Sequence, residues 1–392
     1  MKFTQSLLAV SVLGLTAFTA QAAQYPDLPV GIKSGAGALI GDTVYVGLGS
    51  GGDKFYSLNL KEKDAQWQEL AAFPGGTRNQ PVAAGIDGKL YVFGGFQNND
   101  VADNQVINDA YSYDPATNTW TKLDTRSPRA AVGASGVTDH GKVYFVGGIN
   151  QEIWNGLFQD VKKASSGLDK EADKDKIAAA TKPIFDAYFN LRAQDFFFSS
   201  EIVSYEPATN TWRNEGYFPY SGRAGASVGI NNDKLLVVNG EIKAGLRTDG
   251  TAQGTITKDG VKDWKKLGDL PAPKGYDAQD GIAGGMGGYT NGHFIVTGGA
   301  NFPGARANYA KGINDAHRTG GLKKTYHSDF YALDAQHGTW KIIGNYPKNI
   351  AYGVALPYEN KLLFVGGETD GGAALTEVRT VSFDGKKLVV EE

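Results

Sequence analysis

Leu90-Tyr91-Val92-Phe93-Gly94-Gly95 is the stretch on which the fold turns: an apolar run of strand-forming residues ending in a glycine pair. The phrase returns as Val143-Tyr144-Phe145-Val146-Gly147-Gly148, Phe294-Ile295-Val296-Thr297-Gly298-Gly299 and Leu362-Leu363-Phe364-Val365-Gly366-Gly367. Two degraded copies, Val44 to Gly49 and Leu235 to Gly240, keep the apolar run and the second glycine. Six strands that each end where the backbone must bend tightly define a repeat protein.

Each copy carries a longer sentence around that phrase. A polar turn precedes it, as in Asp87-Gly88-Lys89 and Asp139-His140-Gly141-Lys142. Further upstream stand a proline, a basic residue and small residues: Pro74 with Arg78, Pro128 with Arg129, Pro219 with Arg223, Pro273 with Lys274, Pro347 with Lys348. Downstream come an aromatic strand, a turn and a tryptophan. Tyr113-Asp114-Pro115-Ala116-Thr117-Asn118-Thr119-Trp120 and Tyr205-Glu206-Pro207-Ala208-Thr209-Asn210-Thr211-Trp212 are nearly identical, and Trp67, Trp264 and Trp340 hold the same place elsewhere. Only Trp154 stands outside the scheme.

This pattern predicts four antiparallel strands per copy, with Asp-Pro and Asn-Thr turn chemistry between the last two. A twisted sheet cannot bury both faces alone, so the sheets stack radially with aromatics between them and small residues where they converge. The expected fold is all-β: a six-bladed β-propeller with a partly helical loop insertion. Glycine pair, aromatic strand and tryptophan together resemble the kelch repeat. The last blade receives all four strands from the C-terminal end, through Lys387 to Val390.

The bulk composition bounds the rest. A closed ring can use nearly all of the 392 residues as one unit. A net charge of −3 argues against a general nucleic-acid or other polyanion binder. Lys2, the apolar run Leu7 to Phe18 and the small residues Ala20-Gln21-Ala22 read as a signal peptide over 1–22, leaving 23–392 as the propeller. No later segment is expected to cross a membrane. With no cysteine, an exported chain must draw its stability from core packing and ring closure. The expected location is the periplasm.

The extra length sits in loops that follow the glycine pair: Phe96 to Asn108, Ala300 to Ser328 and, longest, Ile149 to Ser200. Strands that merely neighbour one another do not need such loops, which marks one face as functional. In the longest, Glu171 to Ala180 is charged and alanine-rich, and Pro183 suits a first helical turn with Ile184, Tyr188 and Leu191 following at helical spacing. Phe196, Phe197 and Phe198 close it. Either it is a cap packing its own aromatics or a lid over the channel mouth.

The fourth copy breaks pattern as Val237-Val238-Asn239-Gly240-Glu241, followed by Ile242 to Arg247. The slot after the final glycine holds Ser50, Phe96, Ile149 and Ala300 in four other copies and Glu368 in the last, so the fold does not demand a carboxylate. Glu241 is either one half of a surface turn ion pair with Arg247 or an acid at the channel mouth, and Glu368 is its rival. Arg78, Arg129 and Arg223 should converge on the same mouth, as should Lys33, Lys274 and Lys348. A planar guanidinium suits a small carboxylic acid, although each could equally cap a neighbouring loop. The fifth loop adds Asn301 to Arg306, then His317 and Arg318. Five scattered histidines have no metal-ligand spacing, and neither a nucleophile elbow nor a phosphate loop is present, so neither metal nor cofactor is expected.

Over the whole mature chain, these features together resemble the bacterial periplasmic N-acetylneuraminate epimerases, or sialic acid mutarotases. The specific strings are Asn239-Gly240-Glu241-Ile242-Lys243 and Gly298-Gly299-Ala300-Asn301-Phe302-Pro303-Gly304, supported by the helical insertion ending in phenylalanines. The resemblance implies an isomerase that converts α- to β-N-acetylneuraminate by ring opening and closure. It implies activity from a glutamate and an arginine of the fourth-blade loop, here Glu241 and Arg247. Arg78, Arg129, Arg223 and Asn301 are then the expected substrate contacts, with Glu241 the general base. Two other classes stay open: a non-catalytic sialic acid-binding module, and a kelch protein-interaction propeller. No residue pattern assigns an oligomeric state.

Overall fold

Six antiparallel sheets follow one another along the chain, one per copy of the repeat, each of four strands in line and the fifth with a short extra strand, Thr325–Tyr326. The computed structural model describes residues 25–98 and 104–391, so the signal segment expected at 1–22 lies outside the described residues. The inner strands are Ala36–Ile40, Val82–Ile86, Ala134–Asp139, Ser227–Asn231, Ala283–Thr290 and Val354–Tyr358. The sixth sheet ends with Leu388–Glu391, so the C-terminal region supplies a whole blade, as expected. The N-terminal segment closes the seam without adding a strand. Leu28 and Ile32 donate to Thr376 and Leu375 of blade 6 (2.8 and 3.1 Å), while Pro26 accepts from the Trp67 indole of blade 1 (2.8 Å).

Six apolar cores fill the six gaps between neighbouring blades. Between blades 2 and 3, Phe93 meets Phe145, Tyr205 and Trp212 edge-on at centroid distances of 5.1, 5.3 and 5.7 Å. Such pairs contribute roughly 0.5–1.5 kcal/mol each beyond the area they bury. The duplicated turn works the same way twice: Tyr113 and Tyr205 donate to Asn118 and Asn210 at 2.7 and 2.9 Å.

The glycine pair has a specific task. Its backbone is left-handed in each blade, and in five blades the second residue's N–H reaches the following blade. Gly49 donates to Arg78 O, Gly148 to Arg223 O, Gly240 to Ile282 O, Gly299 to Ile350 O and Gly367 to Ile32 O, all at 2.7–2.9 Å. A Cβ on Gly298 would stand 2.0 Å from the Ile350 carbonyl, so that approach excludes a side chain. Two residues beyond each acceptor, and at Gly133 in blade 3, lies a second ring of left-handed residues: Ser34, Gln80, Gly133, Gly225, Gly284 and Tyr352. At five junctions they hydrogen-bond around the axis, for example Tyr352 N to Gly284 O at 2.8 Å and Ser34 N to Tyr352 O at 2.9 Å. This collar marks where the inner strands meet the loop-rich face.

The long insertion folds as two helices, α1 (Gln151–Ala164) and α2 (Lys174–Phe189). Asn150 caps α1, accepting from Ile153 N at 3.0 Å. Pro183 does not open a helix, contrary to expectation. It lies inside α2, whose N-terminus is set by the charged segment before it, and the bond its missing N–H forfeits is tolerated there. Leu157, Tyr188 and Phe196 form the insertion's own core, and Phe197 stands 66% exposed beside it.

Candidate active site

Above the collar lies a cavity of about 310 Å³ to which every blade contributes. Ser34, Gln80, Val132, Ala224, Gly225, Ala283 and Tyr352 come from the collar and the residues beside it. Trp154, Tyr188 and Phe198 of the insertion form one wall. The insertion is therefore both a self-packed cap and part of the cavity lining. Glu241, Ala244, Lys324 and Glu368 supply the remaining loop residues, three of them charged.

Glu241 is held by a small hairpin peculiar to blade 4, in which Glu241–Lys243 pairs with Leu246–Arg247. Its Oε1 accepts from Gly245 N at 2.7 Å and lies 2.9 Å from Arg247 Nη1. Arg247 is 5% exposed, donates through Nε to Ala300 O at 3.1 Å, and lies 5.1 Å over the Phe302 ring. Burial alone would lower its pKa, but Glu241 and Tyr352 outweigh that and hold the guanidinium charged, above its ordinary value. The pair is no surface turn bridge: its arginine is buried and its carboxylate faces a cavity.

The hairpin is also pinned from outside. Lys243 Nζ donates to Phe189 O (2.9 Å), Leu191 O (2.6 Å) and Asn314 O (2.6 Å), joining the end of α2 to the fifth-blade loop. Its burial pushes the amine down to about 8. His317 fits under Gly245, where a Cβ would lie 2.1 Å from Nδ1, and its ring packs against Phe189 and Phe302.

Across the cavity, Glu368 occupies the equivalent slot of blade 6 and gathers different partners. Tyr326 donates to its Oε1, Lys324 Nζ donates to the same oxygen at 3.2 Å, and Lys33 Nζ stands 3.8 Å away. Lys324 Nζ also lies 4.8 Å from the Tyr326 ring centre and 4.7 Å from that of Tyr352. Burial would lower this amine's pKa, yet Tyr352, Tyr326 and Glu368 hold it above the usual value.

The arginines expected at the mouth are elsewhere. Arg78, 2% exposed, turns back beneath its own blade, bonding Asp109 through both nitrogens (2.6 and 3.0 Å) and Gly94 O at 3.0 Å. Arg223 does the same in blade 4, donating to Asn239 O and Gly250 O over the Phe218 ring at 4.3 Å. Arg129 pairs with Glu201 on the outer rim, lining a separate hollow with Tyr217 and Phe197. Asn301, 2% exposed, bonds Gly281 O and the His327 ring at 2.9 Å each and lies behind the wall. None of the four lines the cavity: Arg78, Arg223 and Asn301 are buried against backbone and neighbouring side chains, and Arg129 is half exposed away from it. Lys324 and Tyr352 were missed. Neither recurs in the repeat, and only the cavity brings them together. Among the described residues, Asp139, His140 and Asp233 offer metal-ligand atoms within 4.8 Å of one another, on strand-joining turns remote from the cavity.

The comparisons agree with this architecture. Residues 25–390 match the family model described as N-acetylneuraminate epimerase. The chain is 71% identical to the N-acetylneuraminate epimerase of Pasteurella multocida (strain Pm70) and 57% identical to that of Haemophilus influenzae (strain PittEE), covering all of both. It is 42% identical to the Shigella flexneri epimerase over 99% of each chain. Among solved structures, YjhT superposes with a TM-score of 0.85 at 40% identity, covering 94% of this chain and all of that one. Propeller, hairpin-bound glutamate and full-length similarity together place this chain in the N-acetylneuraminate epimerase family.

Proposed function

We propose that this chain interconverts the α and β anomers of N-acetylneuraminate, with Glu241 as the general base. The observation that carries the reading is the Glu241–Arg247 pair, buried on its arginine side and open to a cavity on its carboxylate side. Anomer exchange removes a proton from the anomeric hydroxyl, opens the ring to a ketone and closes it on the other face. A charged, oriented carboxylate can take that proton and return it. Arg247 orients Glu241 from behind, while Lys324 is the cation of the cavity lining suited to the sugar carboxylate.

The repeat is read as kelch type and the chain as a periplasmic protein. Support for export is Lys2, the apolar run to Phe18 and Ala20-Gln21-Ala22, while no helix of the described residues is long and apolar enough to cross a membrane. Proton NMR of freshly released α-N-acetylneuraminate tests the activity. Faster appearance of the β anomer with the protein is expected. An unchanged rate, with the sugar still raising thermal stability, would leave a binding module instead.

A further inference from the structure

The collar carries three residues its backbone does not favour, and the largest of them faces the charged side of the cavity. Left-handed geometry suits glycine, which fills three of the six places, and Ser34 and Gln80 hold two more. The sixth is Tyr352, with φ at 54°. A non-glycine residue held there costs of order 1–3 kcal/mol and persists where the surroundings over-determine it. They do so here: Gly284 makes room for the ring, since a Cβ on it would stand 2.3 Å from Tyr352 Cδ1. Tyr352 N and O are both tied into the collar, at 2.8 and 2.9 Å.

That posture sets the side chain against two cations. The Lys324 ammonium lies 4.7 Å from the ring centre, and Tyr352 is one of the groups that hold the buried Arg247 guanidinium of blade 4 charged. Glu241, Glu368 and, behind Lys324, Tyr326 complete the charged and titratable surroundings. Tyr352 itself lines the cavity.

We infer that Tyr352 is the second proton-transfer residue of the anomer exchange, the acid that serves the ring oxygen while Glu241 serves the anomeric hydroxyl. The inference rests on the mutarotase reading above. Hydroxyl, ring oxygen and carboxylate are all borne by one carbon of the sugar. Base, acid and the cation for the carboxylate must then be neighbours, as Glu241, Tyr352 and Lys324 are. In ring opening, Glu241 takes the hydroxyl proton and the O–H electron pair becomes the ketone π bond. The bond from the anomeric carbon to the ring oxygen breaks, and its pair takes the proton of the Tyr352 hydroxyl. The resulting phenolate is held by Arg247 and Lys324. After the carbonyl group rotates, the former ring oxygen adds to its other face and returns its proton to Tyr352. As the ring closes, the ketone π pair returns to its oxygen, which takes back the proton from Glu241 and becomes the new anomeric hydroxyl.

The test is Tyr352→Phe, which keeps the ring in the Gly284 recess and removes only the hydroxyl. Saturation-transfer NMR on N-acetylneuraminate reads the exchange rate, and calorimetry reads binding of the same sugar. A loss of about 100-fold in kcat, with sugar affinity kept within about twofold and an unchanged melting temperature, is expected for a lost proton donor. A wild-type kcat in this variant overturns the assignment, as does a loss confined to affinity. Should the variant melt early, Lys324→Gln decides: the inference requires kcat to fall with the tyrosine in place, and an unchanged kcat refutes it. If the unaltered protein does not accelerate anomer exchange, the mutarotase reading fails instead. Wild-type acceleration undiminished by Tyr352→Phe removes Tyr352 alone.

Discussion

Blades 4 and 6 place a glutamate in the same slot with the same backbone and give it opposite company. Glu241 bridges to Ala224 and Glu368 to Ala351 through paired backbone bonds, each just ahead of the collar. Glu241 then meets one guanidinium and a backbone N–H, a balanced pair. Glu368 meets two ammonium groups and a phenol, which leaves that side with a net positive charge. One acid faces the cavity with a single buried cation behind it, and the other gathers cations around itself. Identical backbone positions thus acquire different chemistry from loops outside the repeat.

Removing each charge in turn breaks this contrast most sharply. Glu241→Gln should cost about 10²- to 10⁴-fold in kcat, with the sugar still bound, as judged by NMR exchange rate and calorimetry. Glu368→Gln should act in the opposite sense on binding. With its negative charge gone from beside Lys324 and Lys33, KM should fall by roughly fivefold, the scale of one screened charge, while kcat changes little. Equal kcat losses in both variants would show that the two carboxylates are not divided in role.

The arginines give the next largest effect. Arg78 and Arg247 are both almost fully buried and both paired with a carboxylate, but only the partner of Arg247 faces the cavity. Arg78→Met strands Asp109 under blade 2 and should destabilise folding by about 3–5 kcal/mol in chemical denaturation, with the activity of the folded fraction retained. Arg247→Met should lose activity at a smaller stability cost, because Glu241 can turn toward water. Two variants with the same stability loss would erase the distinction between scaffold and site.

That distinction also explains what could be read from residues alone. The ring, its blade boundaries and its aromatic gaps were legible because six copies repeat the same physical demand, from Gly94-Gly95 to Gly366-Gly367. Glu241 and Arg247 were legible because they depart from it. The expectation for Arg78 and Arg223 failed for the same reason: a basic residue that recurs from blade to blade answers the scaffold, here as a clamp on the blade's own glycine loop. Arg129 lies two residues before the corresponding slot and turns outward to Glu201. Lys324 and Tyr352 left no periodic trace. Their partnership joins a loop of blade 5 to the collar of blade 6, and only tertiary geometry supplies it. Helix α1 was hidden because its apolar residues, Ile153, Trp154, Leu157 and Phe158, serve two surfaces, the cavity and α2.

The smallest effect tests whether the blade 4 hairpin owes its rigidity to its neighbours, as blade 6 does not. His317 wedges beneath Gly245 between Phe189 and Phe302. Burial first, and then Arg247, Arg318 and Lys243, push its imidazole down to about 4 against the opposing pull of Asp315. In the unfolded chain it titrates near its ordinary value of about 6.5, so between those two values the unfolded state binds the extra proton. The stabilising contribution is therefore complete above about pH 6.5 and drains away as the pH falls toward 4, by roughly 1–3 kcal/mol. His317→Phe keeps an aromatic wedge and removes the titration, so its melting temperature should decline less than the wild type's over that interval. Parallel declines would mean that His317 takes up its proton as readily in the folded chain as in the unfolded one. The hairpin holding Glu241 would then not depend on a neutral wedge.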